Sequence, residues 1–324
     1  MSEKNGLVFA FSLNGNGGGK PLTLENVKAW RPGDGTLWVH LDYTGGDAMH
    51  WLRHESGIDP VIVDALETVE TRPRSLMHQG GMLVILRGVN LNPGASPEDM
   101  ISIRLWIDAD RIVTLRHRRV MAIDDLRQAV VAGSGPAGPG AFLERLCDGL
   151  VVRMGAIIAD VDDSVDAVED EMLTMRSFEL RQRVVAIRRI AIAMRRYLAP
   201  QRDVMARLPN EVAEWLDETQ RRRLREIADR TTRYVEDLDA VRDRATVTQE
   251  ELSHRLSEQM NTTMYVLSIV AGVFLPLGFL TGLLGINVGG IPGTDSKFAF
   301  TIFCIVLLGI AGVQVWFFKR KKWM

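Results

Sequence analysis

The chain has 324 residues, of which 46% are hydrophobic, and a formal net charge of −2. A nearly neutral chain has no global basic field, so nucleic acid is not a predicted partner. The two cysteines, Cys147 and Cys304, stand far apart in the sequence, which argues against a disulfide framework and a cysteine zinc site.

Residues 1–135 are predicted to form an α/β domain. Short runs rich in Val, Ile and Leu indicate strands at Leu7–Phe11, Leu37–Leu41, Met82–Val89, Ile101–Ile107 and Arg111–Leu115. Helical spacing of apolar residues indicates helices at Asp47–Glu55, Pro60–Glu67 and Ala122–Val131. The last two strands are separated only by residues 108–110, which predicts a hairpin and therefore a mixed sheet. The N-terminus lacks the apolar run of a signal peptide, so we expect this domain to be cytoplasmic.

Two local patterns in this domain suggest a ligand. Residues 14–20 are rich in glycine, but their spacing is not that of a phosphate loop, and Pro21 stands where Ser or Thr would bind Mg²⁺. A turn is the simpler interpretation. His50 and His54 are four residues apart and could share a helix face with Asp47 nearby, which gives a zinc-site hypothesis. No nucleophile–base pair or catalytic motif is present, so the sequence does not predict an enzyme.

The chain is predicted to become helical after the glycine- and proline-rich residues 133–140. A helical hairpin is expected over 141–200, with an acidic first helix, 141–175, and a basic second helix, 178–198. A solvated charged face accounts for most of these charges. Pro200 and Pro209 are predicted to break the chain.

A single long helix is predicted from residue 210 to residue 286. Its first part, 210–262, has a stripe of apolar residues on an otherwise charged surface, which is typical of a packed stalk. The stripe contains Leu216, Leu224, Ile227, Val235, Leu238, Val241, Ala245, Leu252 and Leu256.

Two membrane spans are predicted at the C-terminus, at residues 263–286 and 298–318. Each is apolar and long enough to cross a bilayer. Residues 287–297 would form a periplasmic loop. The basic tail, 319–324, obeys the positive-inside rule and places both termini in the cytoplasm.

The first span differs from a plain membrane anchor. It contains Pro276 and a stripe of small, polar or unbranched residues. The stripe consists of Asn261, Met264, Leu267, Ser268, Ala271, Leu275, Gly278 and Gly282. Small residues allow close helix packing or leave room for a lumen, and both interpretations remain open on the pattern alone. Pro276 also frees a backbone carbonyl that lipid cannot satisfy.

The end of the first span carries the tripeptide Gly285-Ile286-Asn287, followed by a short loop, a second span and the basic cluster 319–322. With the central Pro276, this arrangement resembles the CorA-type metal ion transporters. Ile in place of the usual Met, and the Gly-Gly-Ile-Pro-Gly that follows, resemble their ZntB-like zinc transporter branch. Similarity to that branch extends over the whole chain, including residues 71–74, 86–90 and 196–202.

The resemblance implies a funnel-shaped homopentamer in the bacterial inner membrane that takes up Zn²⁺, with proton coupling as an open point. Co²⁺, Ni²⁺ and Cd²⁺ are further candidate ions, and no tightly bound cofactor is expected. Five copies of Gly285, Ile286 and Asn287 would form the pore entrance, where amide oxygens accept hydrogen bonds from the waters of a hydrated ion. Asn261 would form a second polar ring, with an apolar constriction between. Lys319, Arg320, Lys321 and Lys322 would form a basic inner ring.

Two alternatives remain open at this stage. One is a CorA-type Mg²⁺ or Co²⁺ channel, because ion choice does not follow physically from Ile286. The other is a membrane-anchored coiled-coil scaffold or sensor without a pore. Asn287 would then only end a helix, where Asn is favoured.

Overall fold

The computed structural model describes residues 5–68, 72–174, 178–285 and 296–321. The chain divides into two compact units, which we call the N-terminal unit (Met1–Gln249) and the C-terminal unit (Glu250–Met324).

The N-terminal unit contains a seven-stranded sheet in the order β2-β1-β3-β7-β6-β5-β4. The strands are β1 (Leu7–Leu13), β2 (Gly19–Pro21), β3 (Thr36–Asp42), β4 (Arg74–His78), β5 (Gly81–Gly88), β6 (Ile101–Ile107) and β7 (Arg111–Arg116). Among these described strands, only β3 and β7 pair in parallel. The predicted mixed sheet is confirmed, as is the hairpin of β6 and β7, which pairs Ile107 with Ile112.

Four short helices accompany the sheet: α1 (Leu24–Ala29), α2 (Gly46–His54), α3 (Pro60–Glu67) and α4 (Met121–Val131). The three predicted helices are present, whereas α1 and the strands β2 and β4 were not predicted. One core, which includes Leu41, Leu52 and Leu66, packs residues of α2 and α3 against the sheet. Helix α3 begins where its sequence indicates, because Asp59 accepts a hydrogen bond from the Val61 N–H and Pro60 occupies the first helical position.

The glycine-rich residues 14–20 form the turn between β1 and β2 and the first two residues of β2. The side chain of Asn14 accepts hydrogen bonds from the N–H groups of Asn16 and Gly18, at 2.9 and 3.0 Å. Asn14 therefore stabilises the turn with its own side chain. The segment connects two strands rather than a strand and a helix, which agrees with the rejection of a phosphate loop.

His40 is fully buried in the centre of the sheet. Its Nδ1 lies 2.8 Å from the Thr114 hydroxyl, and its ring stacks on Phe9 with the ring centroids 4.9 Å apart. Burial, together with the positive charge of Arg116, lowers the pKa of His40 to about 3. The imidazole is therefore neutral in the folded protein at neutral pH.

We expect His40 to make folding sensitive to acid. Because the pKa is lower in the folded than in the unfolded chain, stability is fully present above the unfolded pKa of 6.5 and is lost as pH falls toward about 3. The apparent melting temperature should therefore fall more steeply between about pH 7 and about pH 5 in the wild type than in His40→Asn. Equal slopes in the two proteins would exclude His40 as the responsible group.

Long helices follow: α5 (Pro139–Thr174), α6 (Phe178–Arg207) and α7 (Glu218–Leu284). The prediction that Pro200 breaks the chain is wrong, since α6 continues through it. Leu198 and Gln201 are fully buried on either side of the proline. Their packing stabilises the helix by more than the hydrogen bond that the missing Pro200 N–H costs. The Gln201 side chain also bonds the backbone N–H and carbonyl of Arg87, at 2.6 and 3.1 Å, which fixes this turn of the helix against β5.

The long helix starts at Glu218 and not at residue 210. Asp217 accepts a hydrogen bond from the Gln220 N–H at 2.8 Å, and the Gln220 side chain accepts one from the Asp217 N–H at 2.9 Å. This reciprocal pair is a capping box, and it defines a helix start. Arg221 donates to the carbonyls of Pro209, Glu211 and Ala213, so the segment before the helix is held as an irregular turn.

The apolar stripe predicted on the stalk is confirmed up to Leu252. Its members are buried from Leu216 to Leu252, whereas Leu256 is 37% exposed. The acidic part of α5 is paired mainly with α7 rather than with the basic helix α6. Arg244 of α7 bonds the carboxylates of Asp162 at 2.9 Å and Glu169 at 2.6 Å, and also that of Asp166. Between α5 and α6, Arg183 pairs with Glu171 at 2.6 Å.

Candidate functional site

The C-terminal unit contains the membrane-spanning candidates. The final part of α7 and the helix α8 (Ala299–Arg320) are both long and apolar enough to cross a bilayer. Helix α7 runs through Pro276 without a break. Because proline has no N–H, the carbonyl of Gly272, one turn earlier, receives no bond from it.

One face of α7 packs toward α8. Among the described residues of the span, the half-buried ones recur every three or four positions: Ile269, Val273, Leu277 and Leu280. On α8 the half-buried residues include Phe303, Leu307 and Phe318. A Cβ atom built on Gly272 would lie 3.1 Å from the Phe318 ring, which shows how closely the two helices approach there.

The predicted polar stripe lies on the opposite face of α7. Met264 and Gly282 are each nine residues from Val273, and nine residues are about two and a half helical turns. The whole stripe is solvent-exposed in the single chain: Asn261, Met264, Leu267, Ser268, Ala271, Leu275, Gly278 and Gly282. Gly278 and Gly282 have no neighbouring atom within 4 Å of a built Cβ. The stripe therefore does not serve the packing of α7 against α8.

The hydroxyl groups of this span are satisfied inside the helix. Ser268 donates to the carbonyl of Met264 at 2.8 Å, and Thr281 donates to that of Gly278 at 3.0 Å. Such bonds allow a hydroxyl to lie in an apolar environment without an external partner. No Asp, Glu, Lys, Arg or His occurs between Glu258 and Asp295, so the stripe offers a cation only neutral groups.

The predicted ends of the pathway are only partly described. Gly285 follows the last helical residue, and its N–H donates to the Thr281 carbonyl at 2.9 Å. Ile286, Asn287 and Lys322 lie outside the described residues. Lys319 and Arg320 form the exposed end of α8, with Lys321 directly after it, and the Arg320 guanidinium lies 5.2 Å from the centre of the Trp316 ring.

No third zinc ligand joins His50 and His54 among the residues that the structure describes. The two rings lie side by side on α2 with centroids 4.7 Å apart, and His50 Nδ1 lies 3.4 Å from Glu55, which also pairs with Lys28 at 3.0 Å. No group of three His, Cys, Asp or Glu side chains that could hold a metal ion occurs within the described ranges. Zinc at this pair stays a prediction that the geometry does not favour.

The sequence analysis did not identify one polar residue of the second span, Gln314 of α8. It is an amide in a largely apolar span, and that contrast was the available signal. Its Oε1 atom is buried and has no hydrogen-bond partner among the described residues.

Comparison with known proteins gives matches over almost the whole chain. The family profile described as CorA-like Mg²⁺ transporter protein matches residues 33–320. The divalent cation transporter CmaX of Pseudomonas aeruginosa is 40% identical over 330 residues, covering 99% of this chain and 98% of CmaX. The zinc transport protein ZntB of Yersinia pseudotuberculosis is 37% identical over 317 residues, covering 98% of this chain and 96% of ZntB.

Solved structures match as well. The full-length structure of CmaX superposes with a TM-score of 0.88 at 39% identity, with 99% of each chain covered. The CorA magnesium transporter of Methanocaldococcus jannaschii gives a TM-score of 0.80 at 17% identity, covering 98% of this chain and 99% of that one. At that identity the second match shows a common fold and no more.

Proposed function

Because the chain belongs to the CorA-like family of Mg²⁺ transporter proteins, we propose that it transports divalent cations across the bacterial inner membrane, with both termini in the cytoplasm. The observation that carries the proposal is the stripe on α7, which faces away from α8 and is exposed in the single chain. Five of its eight members are small or polar: Asn261, Ser268, Ala271, Gly278 and Gly282. A lipid-facing surface would favour large apolar side chains there, whereas a lumen accepts small and amide groups.

The exposed stripe needs further copies of the chain to enclose a lumen. In the proposed assembly, a homopentamer, five α7 helices present Gly278, Gly282 and their neighbours to a common axis. Asn261 and Asn287 contribute amide rings at the two ends, and Met264, Leu267, Ala271 and Leu275 line an apolar section that can gate by dewetting. The basic residues 319–322 lie on the cytoplasmic side.

The transported ion is proposed to be Zn²⁺, taken up into the cell. The support is the 37% identity to a zinc transport protein over 98% of the chain. Neutral oxygens do not replace the water shell of such an ion easily, so the ion would pass in hydrated form and be recognised through its waters. Since the span between Glu258 and Asp295 carries no titratable Asp, Glu or His, any proton coupling would use groups outside it.

The test is ion flux into liposomes that contain the purified full-length protein. Zn²⁺ and Mg²⁺ are compared with trapped indicators, at equal pH and with a pH gradient of either sign. We expect Zn²⁺ entry to exceed Mg²⁺ entry, and an effect of the gradient would indicate proton coupling. Faster Mg²⁺ than Zn²⁺ entry would favour the Mg²⁺ channel instead, and no flux of either ion would contradict transport.

Gly278→Leu tests the position of the lumen. A leucine at Gly278 meets no atom of its own chain within 4 Å of the Cβ, so the chain should fold as before. In the proposed pore, five such side chains would narrow the lumen, and we expect Zn²⁺ flux to fall by at least about tenfold. Gly309→Leu on α8 is the matched control, because Gly309 is equally open and lies outside the stripe. Equal flux in the two variants would place the lumen elsewhere.

A further inference from the structure

The N-terminal unit contains an arginine-rich cleft of about 540 Å³. Its walls come from β5, β6, the segment that follows β7, and α6. Four arginines line it, Arg87, Arg104, Arg118 and Arg196, together with two carboxylates, Glu98 and Asp99. The lining therefore has an excess of positive charge. We call this feature the arginine cleft.

The most buried of these arginines is Arg104, on β6. Only 2% of its surface is exposed, and its guanidinium lies 5.6 Å from the centre of the Tyr43 ring. On the neighbouring strand β5, Ile85 pairs with Arg104 and Arg87 pairs with Ser102. The two arginines thus stand two residue positions apart on adjacent strands, and both contribute to the cleft.

Arg87 and Arg196 stand around a second aromatic ring. Their guanidinium groups lie 4.6 and 5.6 Å from the centre of the Tyr197 ring on α6. Arg87 is further fixed by a hydrogen bond from its Nη1 to the Met100 carbonyl, at 2.9 Å. Aromatic rings hold guanidinium planes in place without neutralising them. Tyr197 therefore positions both guanidinium groups at the cleft.

The two arginines at the rim of the cleft, Arg118 and Arg196, keep their positive charge uncompensated. Among the residues that the structure describes, neither Arg118 nor Arg196 forms an ion pair with a carboxylate. Both are exposed at the rim, as is Asp99. Burial is the main cause that lowers the pKa of Arg104, and the nearby charge of Arg87 lowers it further. An anion between these two groups would offset both effects.

We propose that the arginine cleft binds a phosphate-bearing anion. Guanidinium groups match phosphate oxygens with paired N–H donors, and such charge-assisted bonds are stronger than neutral ones. The cleft also lies within the range of about 300–1,000 Å³ that is typical of small-molecule sites, so it has room for inorganic phosphate or for a mononucleotide. The proposal does not depend on the transport function.

The test is calorimetric titration of the full-length protein in a neutral detergent, free of divalent metal and at about 0.15 M salt. The probes are inorganic phosphate, adenosine 5′-monophosphate and adenosine. We expect inorganic phosphate and adenosine 5′-monophosphate to bind with measurable heat, and adenosine to give no heat of binding. Equal affinity for both phosphates would identify phosphate itself as the ligand, and tighter binding of the nucleotide would indicate an organic phosphate.

Arg118→Gln and Arg196→Gln are the test variants, because both residues are exposed and their loss should not affect folding. We expect each to weaken phosphate binding about tenfold, the loss of one charge-assisted hydrogen bond. Arg189→Gln is the matched control, since Arg189 is exposed on the same helix two turns earlier and does not line the cleft. The proposal is overturned if the wild type binds no phosphate in the millimolar range, or if Arg189→Gln weakens binding as much as the cleft variants.

Discussion

Replacing Asn287 by leucine is expected to abolish Zn²⁺ flux. In the proposed pentamer, each chain contributes one Asn287 amide to a ring at the outer mouth of the pore. Leucine has similar size but no hydrogen-bonding group, so a hydrated ion would meet five apolar side chains in place of five amides. Liposome flux of the variant should then equal that of protein-free vesicles.

Asn287→Gln is the control for this prediction, because it keeps the amide and lengthens the side chain by one methylene. We expect it to retain measurable Zn²⁺ flux at a reduced rate, which would show that the amide and not the mere presence of Asn is needed. Normal flux in Asn287→Leu would mean that Asn287 only ends a helix. Asn287 would then not belong to the pore entrance, although the flux itself would still exclude a scaffold without a pore.

The parts of the fold that the sequence predicted are those with strong periodicity or strong apolar runs. The strands β3, β5, β6 and β7 are short apolar runs, and their burial makes the pattern easy to read. The long helix α7 shows its apolar stripe in the same direct way, and the members of that stripe from Leu224 to Leu252 are buried as predicted. Such patterns are visible because buried positions recur at a fixed interval along a helix or strand, and apolar residues recur with them.

The elements that the sequence missed depend on strand pairing or on long-range contacts rather than on an apolar run. Strand β4 has no apolar run and exists because it pairs with β5 across a two-residue turn. The signal was available in Gln79 and Gly80, which both adopt positive φ, as such hairpin turns require. Helix α6 passes Pro200 because Gln201 bonds to β5 more than a hundred residues earlier in the chain.

The candidate functional site likewise has features that the sequence predicts and features that it does not. The exposed stripe of the first span, from Asn261 to Gly282, could be predicted because its residues follow one another at helical spacing. Its position opposite α8 could not, since nothing in the sequence says which face the second span contacts. The arginine cleft could not be assembled from the sequence, because Arg87, Arg104, Arg118 and Arg196 come from four separate segments that only the sheet and α6 bring together. The segments 86–90 and 196–202 resemble the ZntB-like branch, but nothing in them shows that Arg87 and Arg196 face one cleft.

Leu238→Ala is expected to cause a large loss of stability. Leu238 is fully buried in the N-terminal unit. Removing three carbons of a buried leucine leaves a cavity, and the cost in free energy of unfolding is about 2–5 kcal/mol. The apparent melting temperature of the full-length protein, followed by circular dichroism, should fall accordingly.

Leu238→Met separates cavity formation from other effects at the same position. Methionine has nearly the same volume, so we expect a loss of less than about 1.5 kcal/mol and a melting temperature close to that of the wild type. Similar melting temperatures for Leu238→Ala and the wild type would mean that the helix is not packed at Leu238. The apolar stripe of the stalk would then not anchor α7 in the N-terminal unit. The same helix continues as the first membrane-spanning candidate.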